Sequence, residues 1–163
     1  MKIATSYFAQ IRNFTPNLIP VSVCLSDPAW YKPPQGKEYY IDKRGIVCGL
    51  RYEPLIVQSL GTHMCPCEDK FILKGDCPCG KEYRQLLETV NFDKMIKGFD
   101  YCAEKFRPLP FDDGKHDPII VLMVYETPDN PCSERYALQD YFTSHGWECE
   151  ELKYPIEENY DFI

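Results

Sequence analysis

Two Cys-Pro-Cys steps stand close together in the chain, at positions 65–67 and 77–79, on either side of a nine-residue insert. The insert holds an apolar segment, Phe71–Leu73, followed by a Lys-Gly-Asp turn, and this pattern predicts a small hairpin that brings the two steps face to face. Four thiolates in a tetrahedron are the ligand set of a structural zinc ion. The proline inside each step restricts φ and lowers the entropy lost when the ligands assemble. The sequence therefore predicts a structural Zn2+ held by Cys65, Cys67, Cys77 and Cys79.

The spacing within each step differs from that of the usual zinc ribbon, which has two residues between paired cysteines. Alternatives stay open: His63 could replace one thiolate, the cysteines could hold an iron–sulfur cluster, or they could be disulfides or free thiols. Four thiolates with one Zn2+ carry a net charge of about −2, so the predicted knuckle at residues 63–81 is not an anion site. Its expected role is to fold a loop that is too polar to fold by burial.

A second set of polar residues follows two predicted strands. One strand covers Lys2–Tyr7, and the other is the apolar run Ile119–Tyr125, which leads through a turn into a helix predicted at Cys132–Ser144. Asn130 is expected to cap this helix, which would place Cys132 and Ser133 among its unpaired backbone N–H groups and Arg135 one turn further on. Ligands of open α/β sheets lie beyond the carboxyl ends of the strands. The sequence thus predicts a concave, electropositive ligand site formed by Thr5, Ser6, Tyr7, Glu126, Cys132, Ser133 and Arg135. The alternative is ordinary helix capping and packing by the same residues.

The elements that position these residues predict an α/β fold. A continuous apolar run such as Ile119–Tyr125 is typical of a strand buried on both faces, and hence of a parallel sheet covered by helices. We expect a single domain, residues 1–163, of three-layer, Rossmann-like architecture with a mostly parallel sheet and the zinc knuckle as an insert. The further predicted elements are strands at Val21–Leu25 and Trp147–Leu152, helices at Lys81–Val90 and Asn91–Lys105, and a weak helix at Arg51–Leu60.

Composition limits the classes of partner. The 18 basic and 25 acidic residues give a net charge of −7, which argues against general, salt-driven nucleic-acid binding but not against a local basic pocket. No apolar run is long enough for a membrane span, and residues 1–14 lack the apolar core of a signal peptide. An odd number of cysteines, nine, together with no export signal, predicts a reducing, cytoplasmic location.

The segment from Glu126 to Arg135, placed after an apolar strand, resembles the C-terminal motif of the domain-of-unknown-function 488 family, in which a glutamate and a short loop precede Cys-His-Arg at the start of a helix. The N-terminal segments 3–8, 19–24 and 28–31 are similar to the phage-type branch of that family. The resemblance implies a small α/β fold, a cytosolic setting and a phosphate-like pocket, with Glu126, Cys132 and Arg135 at the motif positions. Ser133-Glu134 stands where the family often has a single histidine, so the resemblance does not imply histidine-dependent chemistry for this chain.

These observations favour one function and leave one alternative. The first is binding of a nucleotide or other phosphorylated small molecule at the strand-end site, with nucleotide or nucleic-acid processing as an open possibility. The alternative is a non-enzymatic, zinc-stabilised module that binds a protein partner. The sequence contains neither G-x-G-x-x-G nor a P-loop, H-E-x-x-H or G-x-S-x-G motif, so no reaction is predicted.

Overall fold

The apolar run near residue 120 forms the strand around which the sheet is built. The computed structural model describes residues 1–56, 78–106, 117–130 and 133–153. Within these ranges the strands are β1 (Lys2–Tyr7), β2 (Leu18–Ser22), β3 (Tyr40–Ile41), β4 (Val47–Cys48), β5 (Ile119–Val124) and β6 (Cys149–Glu151). The α-helices are α1 (Pro78–Glu88), α2 (Phe92–Lys105) and α3 (Arg135–Ser144), and short 3₁₀ helices occur at Phe8–Asn13, Ala29–Tyr31 and Glu53–Leu55.

Four of these strands form a parallel sheet in the order β2-β5-β1-β6. β5 pairs with β1 along its whole length, from Lys2 opposite Ile119 to Tyr7 opposite Val124, and with β2 on its other side. β6 extends the sheet next to β1, with Thr5 opposite Glu151. All six residues of β5 are buried, which confirms the predicted two-sided burial and the α/β class.

The two faces of the sheet are covered differently. Side chains from all three α-helices pack on one face, where Tyr83, Phe99 and Phe142 join the buried cluster. The 3₁₀ helix Phe8–Asn13, the β3–β4 hairpin and the buried ring of Tyr31 cover the other face. The carboxyl ends of the parallel strands therefore open between a helical layer and a layer of short segments.

The helices α1 and α2 confirm the predicted elements near 81–90 and 91–105. The side chain of Asn91 caps α2 by accepting a hydrogen bond from the backbone N–H of Lys94 at 3.1 Å. α1 begins earlier than expected, at Pro78, inside the range assigned to the zinc knuckle. No helix in the described ranges has both the length and the apolar character needed to cross a membrane.

Two predicted elements are placed differently. β2 begins at Leu18 rather than Val21 and therefore contains Pro20, which lies before the predicted strand. Proline fits here because β2 is an edge strand that pairs with β5 alone in this sheet, so one backbone edge needs no donor. The helix predicted at Arg51–Leu60 is wrong for the described residues up to 56, where only the 3₁₀ turn Glu53–Leu55 forms; Pro54 removes the N–H donor that an α-helix would use.

Candidate functional site

The structure brings five of the seven predicted ligand-site residues into one corner at the carboxyl edge of the sheet. They are Thr5, Tyr7, Glu126, Ser133 and Arg135. Ser6 is fully buried, but strand alternation places it on the opposite face from Thr5 and Tyr7. Cys132 lies outside the described residues.

Arg135 is the centre of this corner, and its side chain is 0% exposed. Its Nη2 donates a hydrogen bond to the backbone carbonyl of Glu126, and its Cζ lies 5.6 Å from the ring centre of Tyr7. Its Nε lies 3.2 Å from Oε1 of Glu151. The guanidinium therefore faces inward and is already paired with a carboxylate, so the corner is not the open electropositive cradle that the sequence predicted.

The start of α3 also differs from the prediction. Asn130 is not its cap: the carbonyl of Asn130 accepts from the N–H of Ser133 at 3.3 Å, which makes a turn before the helix. The cap is Glu134, whose carbonyl accepts from the N–H of Leu138. Ser133 consequently precedes α3, and Arg135 is its first residue rather than one turn inside it.

A hydrogen-bonded chain links the corner to the middle of α3. Gln139 Nε2 donates to Thr5 Oγ1, and Thr5 Oγ1 donates to Glu151 Oε1, both at 2.8 Å. Sequence reasoning missed Gln139 and Glu151. One signal could have found Gln139, which is four residues after Arg135 and so shares its helix face. The position of Glu151 beside Thr5 depends on β6 pairing with β1.

Glu134, which sequence reasoning treated only as a departure from a motif, contributes a carboxyl group beside that of Glu126. Burial raises the pKa of Glu134 to about 7, and the neighbouring Glu126 carboxylate adds to this effect through charge and a hydrogen bond. Ser133 Oγ lies 3.4 Å from Glu126 Oε2, as a donor to it. Burial also raises the pKa of Glu151, against the opposing effects of Arg135 and Thr5.

The corner contains every buried side-chain nitrogen or oxygen that lacks a hydrogen-bond partner in the described part of the chain. These atoms are Glu134 Oε2, Arg135 Nε, Arg135 Nη1 and Glu151 Oε2. The Arg135 Nε lies 3.2 Å from Glu151 Oε1 as an ion pair but does not donate a hydrogen bond to it. Buried polar atoms are nearly always hydrogen-bonded in native proteins. Two donors and two acceptors without partners at one point indicate a place where further polar atoms are accommodated.

A second polar cluster follows β2 and was not predicted. The Asp27 carboxylate, whose side chain is 3% exposed, accepts from Ser22 Oγ and lies 2.8 Å from Arg51 Nη1. The thiol of Cys24, beside this cluster, donates a hydrogen bond to the carbonyl of Met123, with an Sγ–O distance of 3.6 Å. Burial, with the carboxylates of Glu134 and Glu126 as further causes, raises the pKa of Cys24 far above its ordinary value. The thiol is thus protonated at neutral pH, which does not suit a nucleophile.

Two cavities lie away from the corner, and neither is lined by a predicted site residue. One of about 330 Å³ lies beside the start of β1 and the connection at Gly146–Glu148. The other, of about 500 Å³, lies between α1 and α3, beside Leu87 and Tyr141.

The predicted zinc ligands fall outside what the structure describes. Cys65, Cys67 and Cys77, with the alternative ligand His63, are in the undescribed segment, and of Cys79 only the backbone is placed, in α1. Within the described ranges, no three histidine, cysteine or acidic side chains are grouped so as to hold a metal.

The fold and the corner together define an α/β protein with a polar site at the carboxyl edge of a parallel sheet. Comparison with protein-family models, with curated proteins and with solved structures found no match for the chain.

Proposed function

We propose that the protein binds a small phosphorylated ligand, such as a nucleotide, at the corner formed by Arg135, Glu134 and Glu151. The observation that carries this proposal is the set of four buried, unpartnered polar atoms on these residues within the described part of the chain. Leaving a buried donor or acceptor without a partner costs about 1–3 kcal/mol, and more for a charged group. A ligand that supplies the missing partners recovers this cost on binding.

The chemistry of the unpartnered atoms indicates the class of ligand. Arg135 Nη1 and Nε are charged donors, and the planar guanidinium matches the geometry of phosphate as well as carboxylate oxygens. Glu134 Oε2 and Glu151 Oε2 are acceptors that suit hydroxyl groups. A phosphorylated molecule with free hydroxyls, as in a nucleotide or sugar phosphate, carries both complements.

The ligand reaches the corner past the side chains that are partly exposed to solvent. Tyr7 and Glu126 are half-buried, whereas Arg135 is fully enclosed. Binding therefore includes rotation of the Tyr7 or Glu126 side chain away from the guanidinium. The hydrogen bond from Arg135 Nη2 to the backbone carbonyl of Glu126 holds the guanidinium in place during this movement.

The test is a thermal-unfolding screen with inorganic phosphate, nucleoside phosphates and sugar phosphates. A ligand at ten times its dissociation constant stabilises the folded state by about 1.4 kcal/mol, or about 3–5 °C in a domain of this size. We expect Arg135→Lys, which keeps the charge but loses the planar fork, to abolish most of this shift. The matched control is Arg84→Lys, at a surface ion pair with Asp140, which should respond like the wild type.

Each variant is compared with its own ligand-free melting temperature, so a change in basal stability does not affect the result. If no phosphorylated ligand stabilises the wild-type protein, the proposal is wrong. Equal ligand shifts in Arg135→Lys and Arg84→Lys would place binding elsewhere.

We also propose the structural zinc at Cys65, Cys67, Cys77 and Cys79, supported by the paired Cys-Pro-Cys spacing alone. Metal analysis should find about one zinc per chain. Cys67→Ser should lose the metal, and Cys102→Ser, at a half-buried free thiol on α2, should retain it. A metal-free protein of unchanged stability would contradict this assignment.

We propose a three-layer, Rossmann-like arrangement for the whole chain and a relationship to the domain-of-unknown-function 488 family. The parallel sheet and the position of Glu126 and Arg135 after its central strand support both. We propose a cytoplasmic location, which the free thiols of the described residues support.

A further inference from the structure

The corner carries more acidic groups than its single guanidinium can balance. Glu151 lies 3.2 Å from Arg135 Nε, and the carboxyl groups of Glu126 and Glu134 interact directly with each other. With all three carboxylates ionised, the corner has a net charge of about −2. A phosphate group would then enter a site that repels it. Protonation of one of the three carboxyls lowers this net charge to about −1 and therefore favours the proposed anion binding.

Glu134 has the weakest support for a negative charge. Its Oε2 is buried and has no hydrogen-bond partner among the described residues. Glu151 Oε2 shares this property, but Glu151 Oε1 accepts from Thr5 and lies 3.2 Å from Arg135 Nε, and Glu126 accepts from Ser133. Its own backbone N–H and Arg135 favour the charged form, but other groups around it do not. β5 leads into the like-charged Glu126.

The remaining neighbours of Glu134 come from three other elements. Cys24 follows β2 and Tyr83 belongs to α1; burial raises the pKa of both, so each is a neutral acid at physiological pH. The positive charge facing Glu134 is that of Arg135 on α3, and Glu151 of β6 already pairs with it. These contacts agree with the pKa of about 7 for Glu134.

We propose that Glu134 takes part in ligand binding as a neutral carboxylic acid, so that the phosphorylated ligand and one proton enter the corner together. This inference rests on the proposed function. The proton comes from solvent and resides on Glu134, where it is shared with Glu126. No covalent bond changes. Glu134 is thus a ligand-binding residue whose protonation sets the affinity of the site.

The consequence is an affinity that falls as the pH rises. Only the protonated fraction of the protein is competent to bind, so the apparent dissociation constant increases as that fraction decreases. For a group with a pKa of about 7, the competent fraction falls about tenfold between pH 6 and pH 8. The dissociation constant for a dianion should rise by the same factor.

The probe is sulfate, because it mimics phosphate but does not itself titrate in this range. Its binding to the full-length protein is measured by isothermal titration calorimetry at pH 6, 7 and 8 and constant ionic strength. The test variant is Glu134→Gln, which holds the neutral state at every pH. The matched control is Glu104→Gln, which removes one negative charge from an exposed position on α2.

We expect the wild type and Glu104→Gln to bind sulfate about tenfold more weakly at pH 8 than at pH 6. Glu134→Gln should bind with the same affinity at all three values and about tenfold more tightly than the wild type at pH 8. Glu126→Gln provides a second variant, because removing the neighbouring charge should move the loss of affinity to lower pH.

The outcomes separate this inference from the proposed function. Sulfate binding that is equal from pH 6 to pH 8 in the wild type overturns the inference but leaves the phosphate site in place. No binding of sulfate or phosphate at any pH overturns both. A Glu134→Gln variant with the pH profile of the wild type assigns the proton to another group and overturns the inference. If Glu134→Gln does not fold, the pH dependence of sulfate affinity is compared between the wild type and Glu126→Gln. A loss of affinity at lower pH in Glu126→Gln supports the inference, and identical profiles overturn it.

Discussion

Arg135 contacts residues from the ends of three strands of the sheet. Tyr7 ends β1, Glu126 follows β5 and Glu151 ends β6, and each contacts the guanidinium. A fully buried charge is tolerated only where such partners compensate for the loss of water. One side chain at the start of α3 therefore serves both the stability of the sheet edge and the proposed ligand site.

Replacing Arg135 with methionine should destabilise the protein by about 3–5 kcal/mol, because it leaves Glu151 half-buried and without its cation. Urea denaturation at pH 7 measures this change. Arg84→Met, at an exposed ion pair, should cost less than about 1 kcal/mol. The double variant Arg135→Met, Glu151→Gln should recover part of the loss. Equal costs for the two arginines would show that the buried pair is not needed.

The pKa of Glu134 predicts how stability depends on pH. A carboxyl whose pKa rises from 4.5 to about 7 on folding binds more protons in the folded state between these values. The stabilisation of the folded state by proton binding at Glu134 is fully present below pH 4.5 and is lost as the pH rises through 7. Relative to Glu134→Gln, the wild type should lose on the order of 2–3 kcal/mol between pH 5 and pH 8. Urea denaturation at both pH values checks this, and a constant difference between the two proteins would contradict it.

At the scale of elements, the sequence predicted β1, α2 and β5 closely, because each has a regular apolar pattern or a recognisable cap. β2 lies three residues earlier than predicted, and α3 begins three residues later but ends at Ser144 as predicted. For β2 the reason is that Pro20 lies in an edge strand, which only the sheet order reveals. For α3 the reason is that the carbonyl of Asn130 accepts a hydrogen bond from the N–H of Ser133 in a turn before the helix. The residue types do not distinguish this turn from a helix cap.

The same limit applies to the candidate site. Strand ends located Thr5, Tyr7, Glu126 and Arg135 because parallel strands share one carboxyl edge. Glu151 was missed because its contact with Arg135 depends on β6 lying next to β1 rather than next to β5. The order of strands in the sheet is a tertiary property that no local sequence pattern gives. The ion pair between Glu151 and Arg135 depends on that order.

Two glycines offer a paired test of helix α2 and the end of α3. Gly146 has φ of +84° and follows α3, whereas Gly98 lies inside α2; both have open space around the position of a Cβ. Gly146→Ala should destabilise the protein by about 1 kcal/mol through backbone strain. Gly98→Ala should stabilise it by about 0.5–1 kcal/mol through helix propensity. Thermal unfolding measures both, and changes of the same sign would contradict the assigned backbone conformations.

At the scale of the whole molecule, β1 and β5 are the inner strands of the sheet. Each is hydrogen-bonded on both sides, and their side chains belong to the two buried clusters. We expect their amide hydrogens to exchange only on global unfolding, and more slowly than those of β6. Hydrogen–deuterium exchange followed by mass spectrometry or NMR measures this. Faster exchange in β5 than in β6 would contradict the strand order.

The position of β5 between β1 and β2 has a consequence for biosynthesis. The two N-terminal strands do not pair with each other, and their shared neighbour ends at Val124. Until the ribosome has translated β5, both strands lack the partner that joins them. The four-stranded sheet can therefore assemble only after β5 has been synthesised, and until then the apolar strands β1 and β2 are unpaired in the nascent chain.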